Sequence, residues 1–150
     1  MYKANINFVK LTPTAQAPTQ GSAMAAGYDL HADLEGAPLL AIPAGEVRKV
    51  STGIAIALPE GTFGAIYARS GLATKRGLAP ANKVGVIDAD YRGPIIVALR
   101  NESHEMQYIE PGERIAQLVV TPYCPAVFNE VDSIGTTARG EGGFGSTGRV

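Results

Sequence analysis

Apolar residues along the chain fall into short runs that end at glycine, proline, asparagine or aspartate. The runs cover Ile6 to Leu11, Val47 to Val50, Ile54 to Leu58, Phe63 to Tyr67, Val84 to Ile87, Ile95 to Leu99 and Ile115 to Val120. Runs of roughly 4–8 residues with such boundaries are typical of β-strands, and their spacing suggests a sandwich or a barrel. One weak helical pattern spans Gly71 to Gly77. The pattern therefore predicts an all-β fold with one short helix.

The composition supports one globular domain over residues 1–150. Of the 150 residues, 45% are hydrophobic and 18% are charged, which excludes disorder as the global state. A chain of this length can bury about two-thirds of its unfolded surface. The 18 glycines and 10 prolines disfavour a mostly helical protein, because both are poor residues for a helix interior.

Charge and cysteine content restrict the classes of partner. A net charge of −1 lacks the basic excess of nucleic-acid-binding proteins, whereas a small phosphorylated ligand needs only a few arginines. The single Cys124 excludes a disulfide framework, and two histidines leave no His-rich metal cage. No apolar run is long enough to span a membrane, and the first residues lack a long apolar segment. We therefore expect a cytoplasmic protein with no membrane or nucleic-acid partner.

Two segments depart from the strand pattern. Residues 13–26 are small, polar and proline-containing, which predicts a loop. Residues 135–150 form a glycine-rich arm with almost nothing to bury, so we expect it to be flexible. The arm is either a disordered tail or a phosphate clamp that orders on binding, because Arg139 and Arg149 flank an aromatic Phe144 and small hydroxyl residues.

Asp88 and Asp90 are the first candidates for chemistry. They follow a β-run and precede an aromatic residue and a glycine turn. If they continue the strand, they share one face, since side chains two residues apart point the same way. Paired carboxylates suit proton abstraction or Mg²⁺ binding. The alternative is that they form a polar hairpin tip.

Four further residues are polar candidates. Arg69 and Ser70 lie between a strand and the possible helix, where backbone N–H groups attract anions and arginine adds charge. The alternative there is a surface arginine with Ser70 as the helix N-cap. Asp29 could neutralise an interior arginine, and Gln117 could bind a ligand, but each could equally be a structural polar group.

Five segments in sequence order resemble the trimeric dUTPase family, the deoxyuridine triphosphate nucleotidohydrolases. They are AGYDL at 26–30, RSGLA at 69–73, GVIDADYRG at 85–93, RIAQL at 114–118 and RGEGGFGSTG at 139–148. The resemblance implies a jelly-roll-like β-barrel or sandwich and a homotrimer whose active sites each combine segments from three subunits. It also implies the hydrolysis of dUTP to dUMP and pyrophosphate with Mg²⁺, which limits uracil in DNA and supplies dUMP for dTMP synthesis.

The resemblance also assigns roles around the base and sugar. Asp88 is similar to the residue that activates the attacking water. Tyr91 is similar to the residue that packs under the deoxyribose and excludes a 2′-OH. The strand pair around Asn82, Gly85 and Ile87 resembles a uracil slot in which main-chain groups of a closed hairpin read the base.

The phosphate-binding roles follow in the same way. Arg69, Ser70 and Gly71 resemble phosphate binders, with Gln117 beside the α-phosphate, and Asp29 is a supporting residue. In the arm, Phe144 resembles the ring that stacks on uracil. Arg139, Ser146 and Thr147 resemble the residues that contact the γ-phosphate, and Gly145 is a further substrate-binding residue. The resemblance implies no protein cage for the metal, so Mg²⁺ would be held mainly by substrate phosphates and water.

Residues outside these segments receive no role, and two other functions stay open. We expect Cys124 to be a buried structural thiol and assign no function to Arg149. The first alternative is a dCTP deaminase of related fold, which would more typically carry an Asp-Pro-Gly-Trp-like turn where this chain has residues 88–91. The second is a non-catalytic nucleotide-binding protein that keeps the same fold.

Overall fold

The computed structural model describes residues 4–143 and has the all-β fold that the sequence predicts. One helix, α1, spans Ser70–Arg76. The strands are β1 Asn7–Lys10, β2 Thr19–Gln20, β3 Tyr28–His31, β4 Leu40–Ile42, β5 Val47–Ser51, β6 Ile54–Ala57, β7 Thr62–Tyr67, β8 Leu78–Pro80, β9 Gly85–Ile87, β10 Ile96–Asn101, β11 Gln107–Ile109 and β12 Arg114–Pro122.

All the strand pairs are antiparallel, and they form four sheets within the described residues. The largest sheet has the order β2-β3-β12-β7-β9, and a second has the order β5-β10-β8. Two smaller sheets pair β1 with β6 and β4 with β11. Strands that are neighbours in the chain often lie in different sheets, so the fold is tied together by contacts between distant parts of the sequence.

The core lies between these sheets and is almost entirely aliphatic. Strands of each sheet contribute fully buried side chains, among them Leu30, Ile42, Ile54, Leu78, Leu99, Ile109 and Ile115. Burying one such side chain contributes about 1.5–3 kcal/mol relative to leaving it exposed. The core therefore fixes how β3, β7 and β12 sit together, and these are the strands that carry the polar candidates.

A buried carboxylate joins the N-terminal segment to this core. Asp33 is 5% exposed and accepts hydrogen bonds from the hydroxyls of Thr12 and Thr14 and from the backbone N–H of Glu35. Burial alone would raise the pKa of Asp33, but these three hydrogen bonds outweigh it and lower the pKa. Gly53, with φ +66°, packs against the same carboxylate and leaves no space for a Cβ.

The structure extends and corrects the predicted elements. The helix begins at Ser70, one residue before the predicted range, and the predicted loop at 13–26 contains the two-residue strand β2. The pattern missed β3, β4, β8 and β11, each of which has only three or four residues.

The end of the described chain is exposed. From Pro122 to residue 141 every residue is exposed, and after β12 no further strand forms in the described part. The predicted burial of Cys124 is wrong: its thiol is exposed, because β12 leaves the sheets at Pro122. No helix among residues 4–143 is long and apolar enough to cross a membrane.

Candidate active site

Two arginines meet one carboxylate at an end of the largest sheet. Asp29 accepts a hydrogen bond from Arg69 Nε at 2.8 Å and another from Arg114 Nη1 at 3.2 Å. Arg69 also donates through Nη1 to the carbonyl of Arg114 at 3.3 Å. The Asp29 side chain is only 14% exposed, whereas that of Arg114 is 53% exposed. We call Asp29, Arg69 and Arg114 the arginine cluster.

A β-bulge places Arg114 in this cluster. In a regular strand Arg114 and Gln117 would face opposite sides, since they are three residues apart. The pairing of β12 with β3 shifts register between Arg114 and Ala116, so that Arg114 lies opposite His31 and Gln117 lies opposite Asp29. The extra residue turns both polar side chains to the same face. No role is predicted for Arg114 from the sequence, because a bulge leaves no clear pattern in a single sequence.

Gln117 lies beside the cluster and is held by the backbone. Its Nε2 donates to the carbonyl of Ala68 at 2.9 Å, directly before Arg69. A Cβ at position 27 would collide with the Gln117 amide, so Gly27 is needed for this orientation. The segments 26–30 and 114–118 are thus physically coupled, with a glycine in one making space for a side chain of the other.

Ser70 and Gly71 begin the helix next to Arg69 and are exposed. The N-cap residue is Arg69, with an extended backbone and no side-chain cap, so Ser70 is the first helical residue rather than the cap. The cap interpretation of Ser70 is therefore wrong. Nothing lies within 4 Å of a Cβ built on Gly71, so the backbone here is open to a ligand.

This arrangement can bind an anion. The cluster carries one negative and two positive charges, and among the described residues the Nη2 group of Arg69 makes no hydrogen bond. Arginine presents several donors in a fixed plane that matches phosphate oxygens, and the ion pair with Asp29 already orients it. A phosphate bound here would not have to order a flexible side chain first.

Asp88 and Asp90 lie in a turn rather than on a strand. Strand β9 ends at Ile87, and the backbone N–H of Tyr91 donates to the carbonyl of Asp88 at 3.2 Å. The predicted strand face shared by the two carboxylates is therefore wrong. The predicted hairpin is also wrong, because β9 pairs with β7 whereas β10 pairs with β5 and β8. We call residues 88–91 the Asp88 turn.

Local contacts hold the Asp88 turn in shape. Arg92 folds back and donates through Nη1 to the carbonyls of Ala89 at 2.6 Å and Tyr91 at 3.0 Å. The hydroxyl of Tyr91 donates to the carbonyl of Pro94 at 3.1 Å. Gly93 is required, since a Cβ there would overlap the Tyr91 ring. The backbone of the turn is thus fixed while the Asp88 side chain stays exposed.

The residues of the predicted uracil slot precede this turn. Asn82 is exposed in the connection from β8, Gly85 is buried against Ile66, and Ile87 is half-buried opposite Gly64. The strands that flank Asn82 do not pair with each other, because β8 belongs to the sheet of β10. A closed hairpin around Asn82 is therefore not observed.

An open cavity lies next to the Asp88 turn. Its volume is about 690 Å³, and it is lined by Glu60, Phe63, Val86, Asp88, Ala89, Asp90 and Tyr123. Asp88 and Asp90 thus face the same space even though they do not lie on a strand. The arginine cluster does not line this cavity.

Within one chain the Asp88 turn and the arginine cluster are far apart. Ile87 lies opposite Gly64 on β7, whereas Gln117 lies opposite Tyr67, three residues further along β7 and on its other side. With about 3.3 Å per residue and about 4.8 Å between strands, the alpha-carbons of Ile87 and Gln117 are separated by roughly 14 Å. Asp88 and Gln117 of one chain are therefore too distant to contact the same phosphate group.

The glycine-rich arm is described only in part. Arg139 is exposed, and its Nε donates to the carbonyl of Gly142 at 2.9 Å. The predicted contacts of Phe144, Gly145, Ser146 and Thr147 lie outside the described residues. Among residues 4–143 no group of three or more His, Cys, Asp or Glu side chains could hold a metal ion.

These features define an antiparallel β protein with two arginines held by one carboxylate and a separate exposed carboxylate. A family model described as dUTPase matches residues 14–148. Deoxyuridine 5'-triphosphate nucleotidohydrolase of Desulfitobacterium hafniense is 46% identical over 147 residues, which is 97% of this chain and 96% of the relative. The rat protein of the same name is 44% identical over 97% of this chain and 68% of its own length. The chain belongs to the dUTPase family.

Solved structures agree with this assignment. The dUTPase of Staphylococcus bacteriophage 80alpha with dUpNHpp has a TM-score of 0.86 and 27% identity, over 96% of this chain and 98% of that chain. A mutant dUTPase from phage phi11 of S. aureus, for which coordination of a structural Mg(II) ion is described, has a TM-score of 0.78. Its identity is 22%, over 88% of this chain and 99% of that chain, so this second likeness concerns the fold alone.

Proposed function

We propose that this protein is an enzyme that hydrolyses dUTP to dUMP and pyrophosphate. The observation that carries the proposal is the arginine cluster, in which Asp29 holds Arg69 and Arg114 in place. Arg69 belongs to the segment that resembles the phosphate-binding motif of the family. The reaction would lower dUTP, limit uracil in DNA and supply dUMP for dTMP synthesis. Its proposed setting is the cytoplasm.

The triphosphate would lie against the arginine cluster and the start of α1. Arg69, Ser70 and Gly71 would bind phosphate oxygens, and Gln117 would lie beside the α-phosphate. What supports this placement is the free backbone face at Gly71 and the orientation of Gln117 through Ala68. Asp29 would act by holding the arginines rather than by touching the substrate.

Asp88 would act as the general base. It would take a proton from a water molecule that attacks the α-phosphorus, and the bond from that phosphorus to the bridging oxygen of the β-phosphate would break. A positioned base contributes about 10²–10⁴-fold to a rate. The rigid backbone of the Asp88 turn supports this role, because it fixes where the carboxylate is presented.

The nucleoside would lie along the stretch that leads into this turn. Main-chain groups near Asn82, Gly85 and Ile87 would hydrogen-bond the uracil edge, so that cytosine would leave buried polar groups unpaired. Such mismatches lower kcat/KM for the wrong substrate by about 10⁴–10⁵-fold. Tyr91 would pack under the deoxyribose and exclude a 2′-OH.

The active site would be shared between the subunits of a homotrimer. The separation of roughly 14 Å within one chain supports this, because Asp88 of one subunit must then meet Gln117 of another. The arm of the third subunit, residues 135–150 of the single domain 1–150, would close the site that the other two subunits form. Phe144 would stack on uracil there, Arg139, Ser146 and Thr147 would contact the γ-phosphate, and Gly145 would be a further substrate-binding residue.

Mg²⁺ would enter with the substrate. The described residues offer no cluster of three potential ligands, and this donor set fits an ion held mainly by phosphate oxygens and water. The ion would neutralise part of the triphosphate charge when bound. No residue of this chain is assigned to it.

A substrate panel tests the proposal. We expect pyrophosphate release from dUTP with Mg²⁺, and release at least a hundredfold slower from dCTP, dTTP and UTP, because each differs at the base edge or the sugar. Equal turnover of UTP or dTTP would contradict the specificity. Ammonia release from dCTP would favour a deaminase instead.

A further inference from the structure

His31 is a buried titratable residue that the proposed mechanism does not use. It is 8% exposed and lies on β3, two residues after Asp29 and therefore on the same face. Across the sheet it is paired with Arg114. His31 thus lies beside the arginine cluster, but it takes no part in the ion pairs.

The imidazole is incompletely hydrogen-bonded. Its Nε2 lies 3.4 Å from the hydroxyl of Thr19, and its Nδ1 is buried without a hydrogen-bond partner in the described part of the chain. Buried polar atoms are nearly always paired, so this nitrogen calls for an explanation. The neutral tautomer with its proton on Nε2 fits best, because it leaves an acceptor unpaired rather than a buried N–H.

The surrounding charges oppose one another at this ring. Burial has the largest effect and lowers the pKa of His31, Asp29 raises it, and Arg114 and Arg69 lower it again. Asp29 lies on the same strand as His31, Arg114 lies on β12, and Arg69 follows β7. His31 is therefore neutral at pH 7, and both cations that oppose its protonation belong to the proposed phosphate site.

We propose that His31 is a positioning residue that takes up a proton when a polyphosphate binds to the arginine cluster. The inference rests on the proposed function, because it places phosphates against Arg69. The proton comes from solvent and binds to Nδ1, whose lone pair in the neutral tautomer has no hydrogen-bond partner among the described residues. The incoming negative charge offsets the two guanidinium groups and stabilises this buried imidazolium. A low effective dielectric strengthens such interactions beneath the surface.

The coupling is reciprocal. If polyphosphate favours protonation of His31, then protonation favours polyphosphate binding to the same degree. The affinity should therefore rise as the pH falls through the titration of His31, whose pKa in the free protein lies below the ordinary value of 6.5. The effect should appear in KM and in the binding constant rather than in kcat.

NMR titration of the unmodified protein tests this directly, because the chain has only two histidines. The ¹⁵N imidazole signals of His31 and His104 would be followed from pH 5 to 8 in the free protein, with dUpNHpp and Mg²⁺, and with inorganic triphosphate. We expect the midpoint of His31 to move up by about half a unit or more with either ligand. His104 is exposed and serves as the reference signal, unchanged by ligand.

Calorimetry gives a second measurement. Binding of dUpNHpp at pH 6.5 in buffers with different ionisation enthalpies reports the number of protons taken up. We expect the His31→Gln variant to lose this uptake and the pH dependence of KM, and the His104→Gln variant to keep both. If His31→Gln does not fold, the NMR titration of the unmodified protein still decides.

The possible outcomes distinguish a failure of the His31 proposal from a failure of the proposed function. If dUpNHpp binds and the His31 midpoint stays or moves down, the inference is overturned while the proposed function stands. If inorganic triphosphate moves the midpoint and dUpNHpp does not bind, the coupling stands and the proposed substrate falls. If neither ligand binds, both are overturned.

Discussion

The arginine cluster and the Asp88 turn are built in opposite ways. In the cluster, side chains from β3, β12 and the end of β7 hold one another through charged hydrogen bonds. In the Asp88 turn, the side chains of Arg92 and Tyr91 hold the backbone through hydrogen bonds to carbonyl groups, and the Asp88 carboxylate itself is exposed. The side chains of the cluster are already oriented by one another. The turn, in contrast, exposes the Asp88 carboxylate to solvent.

This difference shows what one chain can do alone. The cluster can bind an anion within a single subunit, because its donors are already oriented. The Asp88 turn cannot act on that anion, because it lies too far along β7 and on the other side of it. Under the proposed function, the cluster of one subunit binds the phosphates, whereas a second subunit supplies the general base and a third supplies the arm.

The largest expected effect concerns the turn. Asp88→Asn should lower turnover by about 10²–10⁴-fold, because the amide cannot accept the proton of the attacking water. Binding of dUpNHpp should be largely kept, as measured by calorimetry. Asp90→Asn is the matched control in the same turn and should lose far less activity. Unchanged turnover in Asp88→Asn would remove the proposed base.

Mixing two inactive variants tests whether Asp88 and Arg69 of one active site come from different subunits. Asp88→Asn and Arg69→Ala chains would be unfolded together and reassembled, and dUTP turnover measured. In a ring of heterologous contacts, about a quarter of the sites in a 1:1 mixture combine an intact Asp88 with an intact Arg69. Activity should therefore return toward that fraction. If it stays at the level of the separate variants, each subunit holds its own complete site.

A substitution at the centre of the cluster should affect binding more than chemistry. Asp29→Asn removes the charge that holds two arginines, and hydrogen bonds to a charged group contribute about 1.5–3 kcal/mol each. We expect KM for dUTP to rise by about tenfold or more while kcat changes less. Glu113→Gln is the matched control, because it breaks the pair with Arg76 outside the cluster. An equal rise of KM in both variants would contradict the role of Asp29.

The smallest effect on activity is expected at Asp33. Asp33→Asn should lower the free energy of unfolding by about 2 kcal/mol through the loss of charged hydrogen bonds, with kcat unchanged. Since the pKa of Asp33 is lowered in the folded state, its contribution is present above the unfolded value of 3.8 and is lost as the pH falls toward the lower folded pKa. Denaturant unfolding between pH 3 and 7 measures this.

The difference in stability between Asp33→Asn and the unmodified protein should therefore become smaller as the pH falls below 3.8. Glu102→Gln, which removes an exposed pair with Lys83, should change the unfolding curve far less. A pH dependence that is identical in Asp33→Asn and the unmodified protein would show that Asp33 does not stabilise through its charge.

Much of this site could be predicted from the sequence, because each segment consists of a few consecutive residues. Glycine-bounded apolar runs predicted β7, β9, β10 and β12, since each run is long enough to show its pattern. Neutralising an arginine was one of two interpretations of Asp29, and in the structure Asp29 forms ion pairs with Arg69 and Arg114. The catalytic and binding roles of the other segments stay predictions.

The remaining parts depended on pairing between distant strands. Arg114 joins the cluster only through the bulge in β12, and His31 meets it only because β3 lies beside that bulge. The hairpin expected around Asp88 failed because strands that follow one another in the chain joined different sheets. Neither a bulge nor a change of sheet has a reliable signal in the local pattern of apolar residues.

The sequence by itself determined the class of fold, the family and the residues that can carry charge or accept a proton. These properties are local, because strand periodicity, turn residues and motif composition are read within a few positions. Only the tertiary structure decided which of those residues meet. It joined Asp29, Arg69 and Arg114 and kept Asp88 apart from Gln117, because strand register is set by the packing of the whole core.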